Sequence, residues 1–400
     1  MVRVHWHQAA GPAQVTVRAA LPDGNWGRSG RESTVVQLWL DGAYHQDLIL
    51  VHGAEPFSYV RFLGALPAGE HTVDVRPHPT APARPAAAVL ALEAGPLCPQ
   101  DPLEALAWRH TPWIYTRAEA DPWESLWTDT PLLLFYRVDE AVLEFQCLFS
   151  NEDGGTDTRG LLAQWGRTTD IEWVLRLERR GGACTIQGRD HVTETHRGTR
   201  ADDRLTLQVV GVHGMVSSEV PWGAMRFLFL PRYRWDDALP REAVMDAHPW
   251  TYRLTALEMA REGKLFPASA ADDPTPGDLG DYAFIQVLRT ELGTRHPAIE
   301  VIAHLADGRA YSSTHGDLRH ACRRPYPFST TVKLPRGAQP VAIEAVAHGG
   351  ADADAGGTRL RLHQAFRLGA DHLPLPPFAG PGSEVLLTAG APRARLWSAG

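Results

Sequence analysis

TPLLLFYRVDEAVLEFQCLFS, residues 130–150, and TTDIEWVLRL, residues 168–177, decide the fold. In 130–138, Leu132, Leu134 and Tyr136 alternate with Leu133 and Phe135, so both faces are apolar and the strand is expected to be covered on both sides. Asp139-Glu140 turns the chain. In 141–150, Leu143, Phe145, Cys147 and Phe149 face one way and Glu144 and Gln146 the other. In 169–177, Ile171, Trp173, Leu175 and Leu177 form an apolar face, and Asp170, Glu172, Val174 and Arg176 share the opposite one. This period of two predicts antiparallel strands with one face against a core.

The same signal extends outward. VTVRAAL, VVQLWLDG, YHQDLIL, YVRFLGAL and HTVDVRP are short Val-, Leu- and Tyr-rich runs separated by Gly, Pro and Asp. They predict a β-sandwich over 1–94, and LGALPAGEHTVDV resembles an end-strand pattern of immunoglobulin-like and carbohydrate-binding sandwiches. PHPTAPARPAAA (77–88) reads as a linker or extended loop. The central region, 96–268, ends in a helical segment. Pro240 starts a short helix, Pro249 interrupts it, and 251–263 resumes with Leu254, Leu257 and Ala260 on one face and Gly263 as stop. ASAADDPTPGDLGD (268–281) is a second break, and strands near 282–292, 298–305, 329–334, 341–348 and 358–366 predict a third sandwich over 278–400. The expected fold is mainly β: three consecutive antiparallel β-sandwich domains, the central one with a C-terminal helical segment.

Composition limits the function classes. Four hundred residues exceed one core. An apolar fraction of 44% excludes disorder on a large scale. The charge of −8, without a basic run, argues against nucleic acid as partner. No stretch of eighteen apolar residues predicts a transmembrane span. MVRVHWHQ has no apolar signal region, so the sequence as given is expected to be cytoplasmic. Lys264 and Lys333 are the only lysines among 39 basic residues, and Ala, Pro and Gly abound, as in a protein of a GC-rich, bacterial-type genome. Cys98, Cys147, Cys184 and Cys322 are widely spaced, which disfavours structural zinc and a disulfide framework.

The candidate site lies where 141–150 turns back into 170–178. Residues i and i+2 of a strand project from one face about 6–7 Å apart, so Asp170 and Glu172 can share one cation or one proton. The loop SNEDGGTDT adds Asp153 and Asp157. Hard cations, Ca²⁺ or Mg²⁺, take such oxygen ligands. The bland alternative is an acidic surface turn followed by the solvent face of a strand. RDHVTETHRG (189–198) offers His196, and after it His191, as a base or ligand.

From TDTPLLLFYRV through FSNEDGG and WGRTTDIEWVLRLE to REAVMDAHPWTYR, the chain resembles the Vps62-like family and, more distantly, the NPP1-like necrosis-inducing proteins. The resemblance covers about 100–265. It implies a β-sandwich with a strand-borne Asp-Trp-Glu that helps hold a divalent metal. The matching residues are Asp170, Ile171 and Glu172, with the aromatic at Trp173 and Gly166-Arg167-Thr168-Thr169 in front.

The thirteen tryptophans, Trp6, Trp26, Trp39, Trp108, Trp113, Trp123 and Trp127 among them, are candidates for core packing or for stacking on sugar rings. GGADADAGG (349–357) is a polar loop with aspartates suited to calcium. Two functions follow. One is a glycan- or surface-directed binding protein, with a small molecule as the other candidate ligand and a divalent-metal acidic cluster in the central domain. The alternative is a metal-dependent or carboxylate-pair hydrolase acting on a glycan or ester, with the flanking sandwiches as accessory domains.

Overall fold

The structure is a computed structural model that describes residues 2–79, 86–117, 130–151, 157–211, 214–217, 225–293, 296–349 and 357–400. Asp153, Trp123, Trp127 and most of the 349–357 loop lie outside the described residues. Two units form: Met1–Gly155 with Asp170–Arg234, and Thr156–Thr169 with Trp235–Gly400. The protein is mainly β, with six sheets among the described residues.

In the first unit, β1 (Val2–Gln8), β2 (Gly11–Ala20), β3 (Val35–Leu40), β4 (Ala43–Ile49), β5 (Phe57–Leu66), β6 (Gly69–Pro77) and β7 (Ala88–Pro96) form two antiparallel sheets, β1-β6-β3-β4 and β5-β2-β7. Each buries one apolar face, with Val15 and Val17 in one sheet and Leu38 and Val73 in the other. A seventh strand follows the Pro/Ala segment, whose residues 80–85 lie outside the described residues. β7 pairs with β2 and carries the first sandwich on to Pro96.

After α1 (Pro102–His110) come β8 (Trp113–Tyr115), β9 (Pro131–Val138), β10 (Val142–Phe149), β11 (Asp170–Glu178), β12 (Cys184–Gln187) and β13 (Thr193–Thr195). The series continues with β14 (Arg200–Ala201), β15 (Arg204–Val210), β16 (Gly214–Val216) and β17 (Arg226–Phe227). They form β13-β12-β11-β10-β9 and β14-β15-β8-β17, with β16 on β15. Only β8 and β15 run parallel among the described ladders. The sequence draws a boundary at 94–96, yet the first and middle sheets share one unit, because polar side chains stitch them. Gln46 donates to Phe62 O (2.7 Å) and accepts from Leu228 N (3.0 Å), and Asp47 accepts from Arg226 N (2.9 Å).

The second unit contains α2 (Thr158–Trp165), α3 (Ala243–Ala247), α4 (Trp250–Arg261), β18 (Tyr282–Glu291), β19 (Ala298–Leu305), β20 (Ala310–Ser312), β21 (Phe328–Lys333), β22 (Pro340–His348), β23 (Thr358–Arg367), β24 (Val385–Leu387) and β25 (Arg393–Ser398). Sheets β21-β18-β23-β24 and β20-β19-β22-β25 enclose one core that includes Ile285, Val301, Phe328, Ile343 and Leu362. The helices expected at the end of the central region make their contacts here. Tyr252 of α4 meets Phe284 and Phe366 edge-on (5.7 Å each), and Asp246 of α3 accepts from Gln286 (2.7 Å) and Gln364 (3.0 Å). Gly263, at φ +69, ends the helical segment as expected. The buried positions of α4 are Thr251, Tyr252, Leu254, Thr255, Ala256, Glu258 and Met259, while Leu257 is half-buried and Ala260 is exposed.

Helix α2 is absent from the sequence reading. Its carbonyl end is finished by hydroxyls of β21, with Thr330 Oγ1 donating to Ala163 O (2.6 Å) and Thr331 Oγ1 to Leu162 O (3.0 Å). Gly166 closes it at φ +62, and a Cβ there would lie 2.7 Å from Thr330 N, so glycine is required twice over.

Candidate functional site

The expected site rests on which way β11 points, and a β-bulge decides that. β10 and β11 pair antiparallel with Phe145 opposite Leu175 but Gln146 opposite Trp173, so Val174 is an extra residue. Residues opposite one another share a face. Beyond the bulge, Glu172 lies with Cys147 and Asp170 with Phe149, on the same face as Leu175. Strict alternation puts the acids opposite Leu175 and Leu177. The inserted residue turns them inward, toward the second sheet of the middle sandwich, and puts Trp173 on the face of Gln146.

The acids border a recess with Phe149, Val174, Val209 and Met215, and packing leaves no room there for a water molecule. Asp170 is 1% exposed. Glu172 accepts from Gln187 Nε2 (2.7 Å), with His191 Nε2 at 3.6 Å. His191 is thus the histidine that approaches the pair, reversing the order expected from the sequence. His196 is committed elsewhere. Its Nε2 donates to Thr206 O (3.0 Å), its Nδ1 accepts from Gly198 N (2.9 Å), and burial lowers its pKa, so it sits as a neutral, backbone-bonded ring. Asp157 belongs to the second unit, where it caps α2 by accepting from Gly160 N (2.5 Å). Asp170 and Glu172 come together, then, without Asp157 or His196. Among the described residues, no group of three or more His, Cys, Asp or Glu is placed to hold a metal ion.

On the other face of the same strands, Glu144 is held between Arg137 Nε (3.0 Å) and Arg176 Nε. Burial pushes its pKa up, but the two arginines outweigh burial and leave it below the usual carboxylate value. The carboxylate is sealed between two partly exposed arginines.

Four of the described tryptophans are likewise engaged. Trp26 Nε1 donates to Val51 O (3.0 Å), Trp108 and Trp113 are buried, and the Arg76 guanidinium lies over the ring of Trp39 at 4.0 Å.

A cleft of about 510 Å³ opens in the second unit, built from three separate segments. That size suits a small ligand. One wall is the loop Pro267–Asp272, the facing wall is Leu334, Pro335 and Arg336 just after β21, and Tyr311 of β20 lies between them with Arg309 and Asp281. The arginines are neutralised in place. Arg336 grips Asp281 with two bonds (3.1 and 3.2 Å), while Arg309 pairs with Asp307 (2.7 Å) and donates to Tyr311 Oη (3.2 Å). The cleft therefore presents N–H donors and carboxylate acceptors side by side at little net charge.

Lys333 fastens the first wall. Its ammonium donates to Ser269 Oγ (2.7 Å), Asp273 O (3.1 Å) and Thr275 O (2.7 Å). The residue is 1% exposed, and burial lowers its pKa. Three converging oxygens match a compact three-donor head and not the planar fork of arginine. That is the sequence signal the composition offered: a lysine kept in a chain that otherwise uses arginine. Gly277 leaves room for it, since a Cβ there would lie 2.9 Å from Lys333 Cε.

No family model matches the chain, and no curated protein does. Among solved structures, the tandem CBM51 modules of a family 98 glycoside hydrolase from Streptococcus pneumoniae align over 90% of this chain and 79% of theirs at 10% identity, with a TM-score of 0.15. A likeness at that TM-score carries no argument.

Proposed function

We propose that this is a multidomain β-sandwich binding protein whose second unit takes a neutral, polyhydroxylated, glycan-type ligand in the cleft beside Tyr311. One observation carries the reading: an open cleft of about 510 Å³ in which an aromatic ring stands among Arg–Asp pairs with their charges already cancelled. Vicinal hydroxyls of a sugar both donate and accept, and a paired guanidinium and carboxylate answer them together. The ring and Pro335 supply apolar surface for C–H faces. No part of this reading draws on Asp170 and Glu172, whose recess has no space for a ligand.

The test is a glycan array probed with the full chain, followed by calorimetry on the ligand captured. Arg336→Ala and Arg309→Ala should each weaken binding about tenfold, since each removes bonds of the charge-assisted class, while the melting temperature stays nearly unchanged. An array without a captured glycan, or affinity indifferent to both substitutions, overturns the reading.

A further inference from the structure

A second cleft, of about 420 Å³, lies on the outer face of the β21-β18-β23-β24 sheet, and its chemistry differs from that of the first. The ladder between β18 and β23 sets Leu288 opposite Arg361 and Thr290 opposite Arg359, so these four side chains share one face. It is the outward face, because the intervening Leu360 and Leu362 are sealed in the core. Arg289 points inward with Leu360 and is spent on structure, bonding Glu291 and the carbonyl of Pro297 (2.9 Å). Pro327, Glu384, Asp237 and Ala238 complete the lining, so the cleft carries two carboxylates beside its arginines, and the 48%-exposed Leu386 stands opposite Arg359 on β24.

The two arginines are not equivalent. Arg359 has Glu384 at 3.6 Å. Arg361 is exposed, and among the described residues no carboxylate pairs with it. An unpaired guanidinium beside a threonine hydroxyl calls for a carboxylate, which the fork can bind bidentately. Glu384, beside Arg359, and Asp237 call instead for hydroxyl donors, and Leu288, Pro327 and Leu386 offer apolar surface. A simple inorganic anion would satisfy the first demand only. The combination of one carboxylate, several hydroxyls and an apolar ring face belongs to an acidic monosaccharide.

We propose that this cleft binds a uronic-acid residue, its carboxylate on Arg361 and its hydroxyls toward Glu384. The site is separate from the cleft beside Tyr311 and stands without it. The chain's net charge of −8 opposes polyanions at long range, but salt near 0.1 M screens beyond about 10 Å and leaves the direct pair intact.

Glucuronate, glucose and acetate are titrated in turn into the full chain at 0.1 M salt and followed by calorimetry. Glucuronate should saturate, with glucose and acetate each at least about tenfold weaker, because each lacks half of the recognised groups. Arg361→Gln should weaken glucuronate about tenfold and Glu384→Ala should weaken glucuronate but not acetate, whereas Arg336→Ala should change neither. Both substituted positions are exposed, so unchanged melting curves are expected alongside. Failure of glucuronate to saturate, equal affinity for acetate, or indifference to Arg361→Gln overturns the assignment.

Discussion

The recess beside Glu172 and the cleft beside Tyr311 are both carboxylate-bearing and both built against a β-sheet, yet only one has room for anything. In the recess the acids sit on a strand that an extra residue has rotated inward, so packing closes around both and the Gln187 amide takes Glu172. In the cleft Asp281 is paired with Arg336 at the open surface, while the Lys333 ammonium holds the loop wall from behind through one hydroxyl and two carbonyls. The difference lies less in the number of carboxylates than in where their compensation comes from. Acids turned into the packing between sheets leave no space beside them, whereas an acid paired with an arginine at the lip of a cleft leaves the cleft open.

The largest expected effect is on the sealed side. Glu144→Ala strips a buried carboxylate from Arg137 and Arg176 and should destabilise the first unit by about 3–5 kcal/mol in a urea titration. It should leave ligand binding at the cleft unchanged, and coupling between the two would break the comparison. The same carboxyl sets an acid limb. Its native pKa lies below the ordinary 4.5, so its stabilisation is complete above about that pH and is lost as the pH falls through the lower native value. The variant should show a shallower decline of stability between pH 5 and pH 3 or so.

Next in size is Lys333→Met, which keeps the bulk and removes the ammonium. Ser269 Oγ and two carbonyls lose their donor, at a cost of about 1–3 kcal/mol. Unlike Glu144→Ala, this change should also cut affinity for the glycan captured on the array. Intact affinity would detach the anchor from the cleft.

Glu172→Gln should cost less than about 1 kcal/mol, because Gln187 can turn its amide to keep the bond. A chelator should leave the melting curves of both wild type and variant in place. A drop in wild type that disappears in the variant would instead put an ion beside Glu172 and reopen the recess as a site. The smallest effect on stability belongs to Arg336→Ala, about 0–1 kcal/mol, because the guanidinium itself is exposed although Asp281 is buried. Its loss of glycan affinity, with hardly any change in melting, would sharpen the distinction between the two regions most cleanly.

The strands were legible because period two needs only local information. Leu143, Phe145 and Cys147 read correctly, as did Gly263 ending the helical segment. The bulge at Val174 was not legible, since an inserted residue leaves no mark in composition and only the partner strand reveals it. Helix α2 did carry its signals, Asp157 as cap and Gly166 as stop. Eight residues beside an acidic turn hid them. The cleft could not be read at all, because it joins positions near 270, 310 and 335 that only tertiary pairing brings together. The segment 268–281, read as a break, supplies one of its walls.

Ser269, Asp273 and Thr275 precede Lys333 along the polymer by 64, 60 and 58 residues. During synthesis the loop therefore leaves the ribosome well before its fastener, and it stays loose until β21 has emerged and docked. A nascent chain that stops short of residue 333 would carry every residue of the loop without its shape. The shape of this cleft wall is then an event late in translation, tied to the docking of β21 and followed by the strands that complete the final sandwich.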